Sequence, residues 1–126
     1  MKTISATLME AKGLRPSILW LDDERDPTVW VKDIVSKDIL KQHLKVEWVK
    51  NYREFTTWIK KNGLPAVICF DHDLGEQQSG FDCAKYLVEY CLDNKALLPK
   101  WFIQSANPPG RANINGLLNG FKKHNY

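Results

Sequence analysis

Short apolar runs that stop abruptly at polar residues recur along this chain, separated by segments of helical spacing. Ser17-Ile18-Leu19-Trp20-Leu21 runs into Asp22-Asp23-Glu24, Ala66-Val67-Ile68-Cys69-Phe70 into Asp71-His72-Asp73-Leu74-Gly75, and Trp101-Phe102-Ile103 into Gln104-Ser105-Ala106-Asn107. A thinner β-leaning stretch, Val46 to Lys50, reads as an edge strand. Between these runs, Val31, Ile34, Val35, Ile39, Leu40 and Leu44 predict a helix over 31–44. Asn51, with Glu54 three residues on, predicts a capped helix carrying Phe55, Trp58 and Ile59 and ended by Gly63 and Pro65. Phe81, Ala84, Leu87, Val88, Cys91 and Leu92 mark a third helix, and Ile114, Leu117, Leu118 and Phe121 a fourth, opened by Pro108, Pro109 and Gly110. Strand–helix repetition of this kind predicts an α/β fold of βαβ units, with a short parallel sheet in the order 2-1-3-4 and helices on both faces. The unbroken apolar character of 66–70 suits a central strand covered on both sides. Residues 1–16 read as an N-terminal extension in which Ile4 to Leu8 are a candidate fifth, edge strand.

The 126 residues fit one domain, 1–126. At 44% hydrophobic and 26% charged, the composition excludes a disordered tail, a collagen-like repeat and a coiled coil. No apolar run approaches the roughly 18 residues of a membrane span. Lys2 is not followed by an apolar segment, so no signal peptide is expected. Lys plus Arg (18) minus Asp plus Glu (15) leaves +3, without the basic stripe of a duplex-DNA-binding surface. Cys69, Cys83 and Cys91 are odd in number and lack a Cys-x-x-Cys pair, which fits reduced core thiols in a cytoplasmic protein.

In open α/β sheets, ligands bind beyond the carboxyl ends of the strands, where three polar clusters converge here. Acidic groups brought together need a cation or raised pKa values to coexist. An all-oxygen set without cysteine suits Mg²⁺ or Mn²⁺, with Asp22 or Asp23 and Asp71 as the candidate ligands. The competing reading is turn chemistry, in which an Asp after a strand caps the next helix. Extended backbone through 71–73 would put Asp71 and Asp73 on one side and His72 on the other. Imidazole titrates nearest neutrality, so His72 is either a general acid or base or a buried ring that orients the loop. Asn107 reads as an N-cap, the free N–H groups behind it as an anion site, and Arg111 as a guanidinium for phosphate or else a solvated side chain. The tryptophans read as core, with Trp30 the candidate for stacking on a base at the pocket mouth.

These motifs resemble the receiver fold of response regulators and, more closely, the cyclic-phosphate processing receiver domain family. The resemblance rests on Leu21-Asp22-Asp23-Glu24-Arg25 with Pro27 and Trp30, on Asp71 to Gly75 with Gly80, and on Ser105 to Arg111, and it covers about Ile18 to Phe121. It implies a receiver-like (flavodoxin-like) three-layer domain of four or five strands. It also implies a metal-dependent phosphoesterase acting on a cyclic phosphate, a 2′,3′-cyclic nucleotide or RNA end or an ADP-ribose cyclic phosphate, in RNA repair or nucleotide signalling. Asp22, Asp23 and Asp71 would then hold the metal, and His72 or Asp73 would handle the proton. Arg25, Gly75, Gln104, Ser105, Asn107 and Arg111 would contact substrate. The family commonly has His where this chain has Gln104, and 31–44 reads as an insertion. No Lys follows a fifth strand, as it does in ordinary receivers. The alternatives are a cyclic-nucleotide or phosphate-binding module without turnover, and a degenerate receiver that docks on a protein.

Overall fold

A computed structural model describes residues 15–125. Its strands are β1 (Arg15–Leu21), β2 (Lys45–Val49), β3 (Pro65–Phe70) and β4 (Lys100–Ile103), and its helices are α1 (Pro27–Ile34), α2 (Lys37–Leu40), α3 (Tyr52–Asn62), α4 (Gly80–Asn94) and α5 (Pro108–Asn125). All pairings are parallel, in the expected order β2-β1-β3-β4. The proposed strand at Ile4 to Leu8 lies outside the described residues.

Alternation along the strands sends successive side chains to opposite faces and so builds two cores. Leu19, Leu21, Ile68 and Phe70 face one side, where Phe55 and Ile59 of α3, Cys83, Ala84, Leu87 and Cys91 of α4, and Ile114 and Leu118 of α5 cover them. Ile18, Trp20, Val67 and Cys69 face the other, under Val35 and Ile39. Burial holds the Cys69 and Cys83 thiols protonated, well above their usual range, as inert core groups.

The helix expected over 31–44 is a correction. It starts earlier, because Asp26 accepts the Thr28 amide and Pro27 occupies the first turn, and it breaks at Val35 and Ser36, both extended. Neither is a strong helix former, and the break still lets Val35 and Ile39 pack on the same sheet face. The capped start of α3 is as expected, with the Glu54 amide donating to Asn51 Oδ1. Gly63 ends the helix at φ +82°.

Register makes the sheet a platform. Leu21 stands opposite Val49 on one side and Phe70 on the other, and Phe70 opposite Ile103. The residues that follow extend the same ladder by one rung. The amides of Asp22, Asp71 and Gln104 donate to the carbonyls of Val49, Leu21 and Phe70 respectively. Three side chains far apart in sequence therefore emerge side by side at one edge of the sheet.

Candidate metal centre

Asp22 is fully buried and Asp71 nearly so. Asp23, one residue further along, offers a third carboxylate, and one oxygen of each lies within 4.8 Å of the other two. The local backbone explains why the chain turns here. Asp22 Oδ1 accepts the amides of Glu24 at 2.9 Å and Arg25 at 2.8 Å, a turn closed by the acid's own side chain. Two indoles pin the loop from below: Trp48 Nε1 donates to the Asp22 carbonyl at 2.7 Å, and Trp20 Nε1 to the Arg25 carbonyl at 2.8 Å. Gly75 completes the floor. It has φ +69°, a conformation that strains any other residue, and a Cβ there would stand 3.2 Å from Asp23 Oδ2, so the carboxylate would have to give way slightly.

Turn chemistry and a candidate cation cluster thus coexist, divided between residues. Asp22 Oδ2 also accepts Arg25 Nη1 at 3.2 Å and Gln104 Nε2 at 3.5 Å, so both of its oxygens are committed. Among the described residues, Asp23 and Asp71 carry no comparable set of donors, which leaves them the freer oxygens for a cation. Arg25 Nη1 lies 3.7 Å from Asp71 Oδ1 as well, so one guanidinium partly neutralises two buried acids. It does not suffice. Burial first, and then the Asp22 charge, push the Asp71 carboxyl up to about 7, against the opposing pull of Arg25. Hard carboxylate oxygens around this negative charge could hold a hard cation and suit thiophilic metals poorly.

Asp73 departs from the expected geometry. Extended backbone ends at Phe70, so the period of two does not run through 71–73. Asp73 instead accepts from His72 Nδ1 at 3.0 Å and Asn107 Nδ2 at 3.2 Å, outside the three-acid group. Those hydrogen bonds, His72's first, hold its exposed carboxyl below the ordinary value. His72 itself is wedged against the start of α5, where a Cβ on Gly110 would lie 2.4 Å from His72 Cγ.

The third cluster folds onto the end of β4. The Asn107 side chain caps α5 by accepting the Gly110 amide at 3.0 Å, and Ser105 Oγ accepts the Asn107 amide at 3.1 Å. Arg111 Nη1 donates to the carbonyls of Ile103 at 3.1 Å and Ser105 at 3.3 Å, so part of its guanidinium fastens the loop. Arg25 Cζ lies 5.7 Å from the centre of the Trp30 ring, which is 42% exposed beside the acids. The roles of Trp20 and Trp48 in holding the loop were missed in the sequence. Their signal was position, near the carboxyl ends of two neighbouring strands.

A profile of the cyclic-phosphate processing receiver domain matches residues 17–120. A solved structure described as a yeast Spc42 trimeric coiled coil (amino acids 181–211) in a fusion is similar in fold, with a TM-score of 0.53 at 18% identity, over 80% of this chain and 60% of that one. No curated protein matches.

Proposed function

The chain belongs to the cyclic-phosphate processing receiver domain family, and from that premise we propose that it hydrolyses a cyclic phosphodiester in a metal-dependent reaction. The substrate class is a 2′,3′-cyclic nucleotide or RNA end, or an ADP-ribose cyclic phosphate. The observation that carries the reading is the cluster of Asp22, Asp23 and Asp71, two of them buried, with oxygens within 4.8 Å. Bound Mg²⁺ would neutralise phosphate charge and make water more acidic.

The protein's own residues supply the rest. Asp23 and Asp71 offer cation ligands, while Asp22 holds the loop that presents them. Asp73, its carboxyl held below the ordinary value, accepts a hydrogen bond from His72 Nδ1, which leaves Nε2 to take a proton from water or return one to the leaving oxygen. Arg25 and the hydroxyl of Ser105 stand by for phosphate oxygens. In the step itself a water oxygen bonds to phosphorus, one P–O bond to the ribose breaks, and the released ribose oxygen is protonated, giving a monoester.

The test is chromatographic separation of each cyclic substrate from its monoester after incubation with protein and Mg²⁺. Monoester formed by wild type and lost in EDTA and in Asp71→Ala supports the reading. No monoester from either substrate overturns it. A second reading, capture without turnover, draws on Gln104, because a carboxamide at the end of β4 transfers no proton.

A further inference from the structure

Beside the acids, among the described residues, the Gln104 side chain has its hydrogen bonding left half complete. It reaches from the end of β4 across β3 to β1, where its Nε2 donates to the Leu21 carbonyl at 2.9 Å and to Asp22 Oδ2 at 3.5 Å. That pair of acceptors fixes the amide's orientation, since turning it over would set its oxygen against two other oxygens. Oε1 is then buried, on a residue only 6% exposed, with no donor among the described residues. Buried acceptors are rarely left this way, and an orphan beside a functional pocket calls for a partner. Both ends of one carboxamide hang on the same carbon, so the unpaired oxygen lies within one amide's width of the nitrogen that meets Asp22.

Resting on the metal-site reading above, we propose that Gln104 is a positioning residue whose Oε1 accepts a hydrogen bond from a water belonging to the hydration shell of the cation. Mg²⁺ keeps several of its waters, and each is a strong donor that needs an acceptor aimed at it. Asp22 has spent its oxygens on the loop, Arg25 and Gln104 itself. The Gln104 oxygen, bonded to the same carbon as the nitrogen that meets Asp22, is an acceptor that no described donor uses. The amide therefore works in both directions, steadying Asp22 through Nε2 and the hydrated ion through Oε1.

The test is a Mn²⁺ titration followed by electron paramagnetic resonance, with thermal melting in EDTA and in excess Mg²⁺. Gln104→Met keeps the length and removes both polar ends; Gln104→Asn withdraws the amide by one methylene and serves if the first variant does not fold. The expected result is a 10- to 100-fold weaker Mn²⁺ affinity in either variant. Their melting temperatures should stay near wild type in EDTA, and most of the rise that Mg²⁺ gives the wild type should be lost. Equal Mn²⁺ affinity in folded variant and wild type overturns the inference and leaves the metal site standing. A wild type that binds no Mn²⁺ overturns both.

Discussion

The Arg25 guanidinium stands 3.7 Å from the Asp71 carboxylate while bonded at 3.2 Å to Asp22. It is the protein's own counter-ion for a pocket that carries more negative charge than one arginine can balance. Arg25→Met should destabilise the metal-free protein by roughly 1–3 kcal/mol, less than for a fully buried pair because about a quarter of the Arg25 side chain meets water. Excess Mg²⁺ should restore most of that loss. Melting curves of variant and wild type, with and without Mg²⁺, check both statements.

Asp71 gives the pocket a pH dependence of definite sign. Its carboxyl sits at about 7 in the fold against an ordinary 3.8, so the folded state holds the proton more tightly than the unfolded chain. The resulting stability is fully present below about pH 4 and is lost as pH rises through about 7. In EDTA the wild type should melt at progressively lower temperature as pH rises from about 4 to about 7 and level off above that, and Asp71→Asn should not share that fall. Because a cation competes with the same proton, Mg²⁺ affinity should climb up to tenfold per pH unit below about 7 and level off above it. Calorimetric titration across that range reads this directly.

Gly110 and Gly116 lie on the same helix and should respond oppositely to alanine. A Cβ at Gly110 would meet His72 Cγ at 2.4 Å, whereas one at Gly116 meets nothing. Gly110→Ala should cost roughly 1–3 kcal/mol and displace the His72 ring, visible in its imidazole NMR signals. Gly116→Ala should stabilise by up to about 1 kcal/mol through helix propensity alone.

Its exposure and its contact with Arg25 make Trp30 the candidate ring for stacking on a nucleobase. Trp30→Ala should raise KM for a cyclic nucleotide by roughly 5- to 100-fold, the range of one lost stacking contact, with kcat little changed. A KM that stays within twofold would remove the ring from the binding site.

How much of this was legible in the residues follows from what each depends on. The platform of Asp22, Asp71 and Gln104 could be read because strand ends are marked by abrupt changes of polarity and parallel sheets gather those ends on one edge. The Asp23–Gly75 approach was half visible: glycine stood in the motif, but its neighbour is set by loop geometry. The placement of Asp73 was misread because alternation holds only while backbone stays extended, and it does not outlast Phe70. The break at Val35 and Ser36 was hidden because an apolar spacing survives an interrupted helix when both halves pack on one sheet face. The half-satisfied amide of Gln104 depends on partners at Leu21 and Asp22, more than eighty residues away in sequence, and no local pattern announces it.

The most direct measurement is ³¹P NMR of 2′,3′-cyclic nucleotide and of ADP-ribose cyclic phosphate incubated with the protein and Mg²⁺, with Asp71→Ala and EDTA as controls. The account predicts that the cyclic resonance of at least one substrate converts to a monoester resonance, and that both controls abolish the conversion. A cyclic resonance that shifts or broadens without converting would contradict hydrolysis and make the protein a binding module. No change with either substrate would contradict both readings for these ligands.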